Sequence, residues 1–523
     1  MKRTYGMGTM LLALCCALAA CGGGGGGSGG SSQAGGGTPV SAAGDVAYTD
    51  SANYSGNAGD SLASAQEGAA ITHHQITLAS GTLNYTATAG HLTASNPQTG
   101  APEATFFYVA YTRDNQSAAQ RPVTFFYNGG PGSASVWLHL GSFGPKRLVT
   151  GDPSSSPVTP FPLVDNQQTL LDTSDLVFVD AIGTGLSEAI APNTNQTFWG
   201  VDADAAAFRD FISRYLTVNQ RLASPKFLFG ESYGTLRSAV LSNLMESAAM
   251  HLNGVVLQSS ILNYNSNCGV VTQPISCAGY LPTYGTVGAY YQLDNPNPAD
   301  LPSFAQQMRG FTTGTYSPAV NAYLSNRTSA SPALINQLVS YTGASTALWT
   351  GDLNLDPGTF QYNLVPNTMI GRYDARVSAP NGSALTQDGD PSSTVISAQF
   401  GNTIVSYLSG TLKYANNSVY TMLGNQIDSW VWTHDGQQLP DSVPDIATAL
   451  TLNPKLKYLS LNGYHDLATP FFQTEQDLAR LGSTANVTVT HYNGGHMTYL
   501  DDGSRPLERA DLGAFYQAAL SAK

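Results

Sequence analysis

Short apolar runs, rich in aromatic and β-branched residues, alternate with segments of helical periodicity along much of this chain. The apolar runs cover residues 105–111, 122–127, 176–180, 226–229, 255–258 and 457–461. Apolar side chains recur at helical spacing in residues 201–216, 236–250 and 471–481. Strands that alternate with helices form mostly parallel sheets. The sequence therefore predicts an α/β fold with a mostly parallel central sheet flanked by helices.

The pentapeptide Gly-Glu-Ser-Tyr-Gly at residues 230–234 lies between a predicted strand and a predicted helix. Its glycines permit the tight, strained turn that lifts a serine hydroxyl out at the carboxyl end of a parallel sheet. The stretch Gly-Gly-Ser-Gly-Gly at 26–30 has the same pattern, but no apolar strand precedes it and no helix follows it. The context therefore selects Ser232 as the candidate nucleophile.

A serine nucleophile needs a base, and the base needs an acid that orients it. Asp466 follows a predicted strand by a short loop, and His496 lies in the Gly-rich loop after the further apolar run 487–492. The chain order Ser, Asp, His is that of α/β-hydrolases. His465 is the rival base, but its neighbour Asp466 could not easily orient it. We predict a triad of Ser232, Asp466 and His496.

The stretch Asn-Gly-Gly-Pro-Gly-Ser at 128–133 directly follows the run 122–127. Glycines let backbone amides approach a substrate closely, and such amides stabilise the negative charge that develops during acyl transfer. A Gly/Pro turn without chemistry would have the same composition. Beside a candidate triad, the stretch predicts an oxyanion hole.

Four segments occur together in one order: 128–135 with Phe-Gly-Pro at 143–145, Val-Asp-Ala-Ile-Gly-Thr-Gly-Leu-Ser at 179–187, Gly-Glu-Ser-Tyr-Gly at 230–234, and Gly-His-Met at 495–497. Together they resemble the serine carboxypeptidase family, over about 125–260 and 456–500. The resemblance implies an α/β-hydrolase that removes C-terminal residues from peptides through an acyl-enzyme.

Carried over residue by residue, the resemblance implies the same triad. It also implies that the amides of Gly130 and Tyr233 form the oxyanion hole. Asn128 and Glu231 would hold the terminal carboxylate of the peptide substrate.

The chain departs from the family at Ser142, because family members carry a Glu two residues before the Gly-Pro at 144–145. Two close carboxylates share a proton, which ties activity to acidic pH. We therefore expect Glu231 to lack its usual partner and the Ser142 hydroxyl to donate to the substrate instead, so that neutral pH is tolerated. Alternatively, another side chain restores the acid.

The N-terminal residues 1–20 have the form of a bacterial lipoprotein signal peptide. Lys2 and Arg3 precede an apolar run that ends in Leu-Ala-Ala-Cys at 18–21. The pattern implies cleavage before Cys21 and lipidation of Cys21, which would export the protein and anchor it, with the outer membrane favoured; the alternative is a plain secretory signal. Residues 21–70 are expected to be a Gly/Ser-rich tether and low-complexity region.

Residues 71–523 are assigned to the hydrolase domain, with an insertion at about 261–445 that either caps the site or decorates the fold elsewhere. Cys268 and Cys277 lie nine residues apart within it. Export favours a disulfide between them, and two reduced thiols are the alternative.

The net charge of −13 opposes binding to nucleic acid. His73 and His74 have no helix-spaced partners and no His-Glu-x-x-His motif occurs, so we expect no metal and no other cofactor. The resemblance to the family and the signal pattern together imply an exported serine carboxypeptidase acting on peptides. The same triad would also serve an esterase or acyltransferase, and an inactive binding lipoprotein is the non-enzymatic alternative.

Overall fold

A ten-stranded sheet forms the centre of the protein in this computed structural model, which describes residues 44–153, 156–270 and 275–522. All of these residues belong to one unit, Ala42–Lys523. The predicted signal peptide, Cys21 and the Gly-rich part of the tether lie outside the described residues.

The strands of the described ranges are β1 (Tyr48–Thr49), β2 (Gly68–Leu78), β3 (Gly81–Ser95), β4 (Pro102–Arg113), β5 (Val123–Tyr127), β6 (Lys146–Leu148), β7 (Leu163–Asp165), β8 (Asp175–Val179), β9 (Glu188–Ala189), β10 (Lys226–Glu231), β11 (Gly254–Gln258), β12 (Thr368–Ile370), β13 (Ser378–Pro380), β14 (Tyr414–Ala415), β15 (Lys457–Gly463) and β16 (Val487–Tyr492). The helices are α1 (Val136–Gly141), α2 (Val201–Val218), α3 (Tyr233–Ser247), α4 (Leu281–Tyr290), α5 (Leu301–Phe311), α6 (Ser317–Asn326), α7 (Pro332–Thr342), α8 (Thr346–Gly351), α9 (Pro357–Asn363), α10 (Pro391–Ser406), α11 (Val443–Leu452), α12 (Phe471–Ala479) and α13 (Ser504–Ser521).

The order across the large sheet is β16, β15, β11, β10, β5, β8, β4, β3, β2, with β9 beside β4. The six strands from β16 to β8 are parallel, whereas β4, β3 and β2 add an antiparallel edge. The predicted α/β-hydrolase architecture is confirmed. Because the parallel strands share one direction, the loops that follow β5, β10, β15 and β16 meet at one edge.

Successive strand residues face opposite sides of the sheet, so each side has its own core. Phe126 and Phe229 pack into the core that includes α13 side chains, whereas Phe125 and Leu228 pack into the core that includes α2, α3 and α11 side chains. All four side chains are fully buried. Burial on both sides explains why the central strands are continuous apolar runs in the sequence.

The expectation of a poorly ordered region up to residue 70 is wrong from residue 44 onward. Strand β1 pairs with β14, and β2 already begins at residue 68. The buried Asp50 carboxylate accepts hydrogen bonds from the hydroxyls of Tyr54 and Tyr414, both at 2.8 Å. The composition of this segment, rich in small polar residues, gives no sign of its order. Partners far along the chain, rather than local apolar periodicity, hold the segment in place.

The insertion lies between β11 and β15 and contains helices α4 to α10. Most of its first helices share a separate apolar core, in which Tyr284 and Phe360 stack with ring centroids 4.1 Å apart. Cys268 and Cys277 form a disulfide, with Cα atoms 5.3 Å apart. No helix in the described part of the chain has both the length and the apolar character to span a membrane.

Candidate active site

Ser232 lies directly between strand β10 and helix α3, where the backbone turns sharply. Its φ of 60° and ψ of −129° lie in a region that side chains rarely adopt. Gly230 makes the turn possible, because a Cβ there would collide with the carbonyl oxygen of Gly234 and the hydroxyl of Ser238. The turn places Ser232 at the carboxyl edge of the sheet, beside a cavity that it lines.

His496 and Asp466 form a buried hydrogen-bonded pair. His496 Nδ1 lies 2.8 Å from Asp466 Oδ2. The other oxygen of Asp466 accepts from the backbone amides of Ala468 (2.8 Å) and Thr469 (3.0 Å), and the Thr469 hydroxyl donates to Oδ2 at 2.6 Å. The short loop after β15 thus fixes the carboxylate, which in turn fixes the imidazole.

The electrostatics of the pair favour a stabilised imidazolium. Burial acts to lower the pKa of His496, but the charge and hydrogen bond of Asp466 outweigh it, so the pKa lies above its ordinary value. The His496 amide donates to the carbonyl of Tyr373 at 2.6 Å, and the two rings are 5.0 Å apart. His496 is therefore fixed both through its ring and through its backbone amide.

The rival His465 lies outside this arrangement. It is buried against Tyr290, with ring centroids 5.7 Å apart, and burial lowers its pKa to about 4. Its Nδ1 has no hydrogen-bond partner among the described residues. His465 is therefore a neutral packing residue in this structure.

The loop after β5 approaches the start of helix α3 very closely. A Cβ on Gly129 would lie only 2.5 Å from the backbone nitrogen of Tyr233, so only glycine allows this approach. Gly130 has a φ of 104°, which likewise favours glycine. Within the described ranges, the N–H groups of Gly130 and Tyr233 have no acceptor, and both residues border the nucleophile. Two unpaired amides are thus available to a substrate oxygen.

Asn128 and Glu231 are directly hydrogen-bonded. The Asn128 amide nitrogen donates to Glu231 Oε1 at 2.7 Å, and the Tyr499 hydroxyl donates to Glu231 Oε2 at 2.5 Å. Burial raises the pKa of Glu231 to about 7, against the opposing effects of the His496 charge and the Tyr499 hydrogen bond. Burial also raises the pKa of Tyr499 far above its ordinary value, so Tyr499 stays a neutral donor.

The expectation that Ser142 donates to the substrate is wrong. Ser142 is fully buried at the end of α1, and its hydroxyl donates to the carbonyl of Leu138 at 2.5 Å. Glu231 does not lack a partner, because Tyr499 supplies one. A phenol therefore contacts Glu231, and Ser142 has a structural role.

A cavity joins these groups. Its walls come from the β5 loop, the β10 turn, the β16 loop and the insertion. The lining residues are Asn128, Gly129, Gly130, Ser133, Trp137, Glu231, Ser232, Tyr373, Ser393, Leu423, His496 and Met497. The insertion supplies three of them, Tyr373, Ser393 and Leu423, so it caps the site.

Three further residues at the site, Thr469, Tyr373 and Tyr499, do not follow from the sequence motifs. Thr469 follows Asp466 by three residues, a spacing at which a hydroxyl reaches a loop carboxylate, so the sequence holds a weak signal for it. Tyr373 comes from the middle of the insertion and Tyr499 from the loop before α13. Neither has a local pattern that points to the site.

The fold and the site define a hydrolase with the α/β-hydrolase architecture. Residues 79–282 match the family model described as serine carboxypeptidase. This match confirms, over that part of the chain, the resemblance seen in the sequence. No curated protein sequence matches the chain.

A solved carboxypeptidase structure has the same fold. Kex1(Δ)p, a prohormone-processing carboxypeptidase from Saccharomyces cerevisiae, is 15% identical and superposes with a TM-score of 0.50 over 83% of this chain and 91% of its own. Proline iminopeptidase from Mycobacterium smegmatis is 16% identical, with a TM-score of 0.36 over 83% and 100%. Juvenile hormone epoxide hydrolase from the silkworm Bombyx mori is 13% identical, with a TM-score of 0.34 over 83% and 79%.

Proposed function

We propose that the protein removes C-terminal residues from peptides by a serine carboxypeptidase mechanism. The observation that supports this most is the position of Glu231 and Asn128, a hydrogen-bonded pair adjoining Ser232 in one cavity. A general esterase needs the nucleophile and the oxyanion donors, but it has no use for a buried carboxyl group beside them. A group that can carry a proton there suits a substrate that ends in a carboxylate.

In the proposed reaction, Ser232 Oγ attacks the scissile carbonyl carbon while His496 takes the hydroxyl proton. Asp466 orients the imidazole and stabilises the imidazolium. The amides of Gly130 and Tyr233 donate to the oxyanion. His496 then gives its proton to the departing amine, and a water molecule, deprotonated by His496, hydrolyses the acyl-enzyme.

Protonated Glu231 would donate to the terminal carboxylate of the substrate, because an ionised Glu231 would repel it. The charged and titratable groups that act on Glu231 are His496, Asp466, Tyr499 and Glu508. Of these, Tyr499 donates to the carboxylate form and so opposes protonation. Glu231 is therefore the group whose ionisation would lower activity as pH rises through neutrality.

The first prediction concerns this pH dependence. For a blocked peptide with a free C-terminus, we expect kcat/KM to fall above the pKa of Glu231, about 7, because the protonated donor is lost. The same peptide as its C-terminal amide, followed by mass spectrometry, should be cleaved more slowly and without this descending limb. Tyr499→Phe should move the limb to higher pH, because it removes a hydrogen bond that stabilises ionised Glu231.

Ser142→Ala is the matched control, because Ser142 is buried nearby and does not contact Glu231 through its hydroxyl. Equal rates on acid and amide with identical pH profiles would contradict carboxylate recognition. Cleavage of esters alone would favour the esterase alternative.

The protein is also proposed to be an exported lipoprotein, on the strength of Leu-Ala-Ala-Cys at 18–21 and the Gly-rich stretch that follows. Gly22 rather than an acidic residue follows Cys21, which favours the outer membrane. We expect Cys21→Ser to move the protein from the membrane fraction to the soluble fraction or to block its maturation, because acyl chains supply the membrane affinity. Cys15→Ser is the control. A wild-type protein found wholly in the soluble fraction would refute the anchor.

A further inference from the structure

The strap, residues 421–434 of the insertion, runs along the loop after β5, which borders the cavity, and along the loop after β8. Its backbone accepts a hydrogen bond from the amide of Ala134 and donates one to the carbonyl of Gly132, both at 2.9 Å. Gln426 donates to the carbonyl of Gly183 at 2.6 Å. The loop that carries Gly130 is therefore held from outside by the strap.

The strap also packs against the residue after the nucleophile. Tyr233 contacts Trp430 and Trp432 edge-on, with ring centroids 5.3 and 6.1 Å apart. Trp432 packs in turn against Tyr264 at 4.7 Å. Since Tyr233 and the loop of Gly130 carry the two proposed oxyanion donors, the strap contacts both of the elements that would form the oxyanion hole.

His434 ends the strap and lies between two carboxylates. Its Nδ1 is 2.6 Å from Asp202 in the first turn of α2, and its Nε2 is 2.8 Å from Asp445 in the first turn of α11. Asp445 also accepts from Asn243 of α3 at 2.8 Å. The His434 side chain is only 5% exposed. One buried imidazole thus joins the strap to helices that flank the nucleophile.

Both ring nitrogens face carboxylate oxygens, so only the doubly protonated ring donates to both. The neutral ring would turn a lone pair toward one carboxylate.

Within the described residues, His434, Asp435 and Asp445 also carry potential metal-ligand atoms that lie within 4.8 Å of one another. A tetrahedral zinc ion would hold its nitrogen and oxygen ligands about 3.3 Å apart, whereas Nε2 and Asp445 are 2.8 Å apart, a hydrogen-bond distance.

We propose that His434 is a positioning residue, an imidazolium held between Asp202 and Asp445 that keeps the strap against the oxyanion loop and Tyr233. This inference rests on the proposed function, in which those amides bind the oxyanion. His434 does not line the cavity and acts through the strap.

Because His434 holds the strap through its charge, the position of the strap should depend on pH in the alkaline range. The hydrogen bond with Asp445 is the main cause that raises the pKa of His434 to about 9, with Asp202 adding to it and burial opposing it. The exposed Asp435, 3.7 Å from Nε2, is the third carboxylate that faces the ring. Because the folded-state pKa is raised, the stabilisation is complete below the ordinary value of about 6.5 and is lost as pH rises through 9.

The test measures kcat and KM for a blocked amino-acid ester from pH 6 to 10.5, because an ester has no terminal carboxylate for Glu231 to bind. In the wild type we expect kcat to fall above about pH 9. In His434→Gln we expect kcat to be lower by about 10-fold, less than the loss of a whole oxyanion donor, to lack the alkaline limb, and to leave KM nearly unchanged. Asp202→Asn should move the same limb to lower pH, because it removes a carboxylate that raises the pKa of His434, and it should not disturb the core, because the Asp202 side chain is 65% exposed.

His251→Gln is the matched control, because His251 pairs with Glu246 at 2.8 Å but is 67% exposed and remote from the strap in sequence. Its kcat profile should match the wild type. Histidine-selective ¹⁵N labelling, with His434→Gln to assign the resonance, reads the protonation directly. A His434 that titrates near 6.5, or a His434→Gln variant with the wild-type profile, would overturn the proposal. Titration near 9 in a protein that hydrolyses nothing would contradict the proposed function while supporting an imidazolium held between Asp202 and Asp445.

Discussion

The Ser232→Ala variant is expected to lose turnover by a factor of about 10⁶ and to keep its fold. No other group in the triad can attack the carbonyl once the hydroxyl is gone, and the base and acid act as a unit with it. Alanine meets the same backbone turn as serine, and the Ser232 side chain makes no capping hydrogen bond to α3. The thermal midpoint should therefore change little.

Turnover of a peptide and labelling by a fluorophosphonate probe measure this result together. Ser393→Ala is the matched control, because Ser393 lines the same cavity from the insertion. It should keep both turnover and labelling. A folded Ser232→Ala protein that still reacted with the probe would show that another residue is the nucleophile.

Asp466→Asn is expected to lower kcat by about 10⁴ with a small change in KM. The carboxylate accepts four hydrogen bonds, from two amides, the Thr469 hydroxyl and His496. An amide nitrogen cannot accept at one of these sites, so the His496 ring would lose either its orientation or the tautomer that accepts the serine proton.

The measurement is kcat and KM near neutral pH, with circular dichroism to establish folding. Asp477→Asn is a suitable control, because Asp477 is another buried carboxylate, on α12, that accepts from Ser266 and lies outside the cavity. It should retain most of kcat. A loss below about 10-fold in Asp466→Asn would remove Asp466 from the role of orienting acid.

The parallel core of the fold could be predicted from the sequence because its strands are buried on both faces. Each such strand is a continuous apolar run, and β5, β8, β10, β11 and β15 all lie at the predicted places. The antiparallel β2 and β3 were missed, because Ala87 and Ala89 fill the buried positions of β3 where large apolar side chains would give a signal. Small buried residues leave the periodicity too weak to see.

The residues of the site also differ in whether the sequence predicts them. Ser232 and the glycines around it are visible because a strained turn and a close approach between loops each require glycine at fixed positions. Tyr499 was not visible, because its contact with Glu231 spans 268 residues of sequence. The departure from the family at Ser142 is visible in the sequence, but its meaning depends on Tyr499, which only the folded chain brings to Glu231. Side chains that reach the site from the insertion have no motif at all.

The pairing of β1 with β14 joins residue 48 to residue 414. During synthesis, the first described strand has no partner until most of the chain has been made. The entropy cost of closing so long a loop is larger than that of local contacts. We therefore expect this pairing to form late in folding, after the local strand–helix units. The segment that carries Asp50 and Tyr54 therefore gains its contacts with β14 late. A chain truncated before Tyr414 would lose the hydrogen bond from the Tyr414 hydroxyl to Asp50, although the segment would keep its contacts with His91 and Glu188.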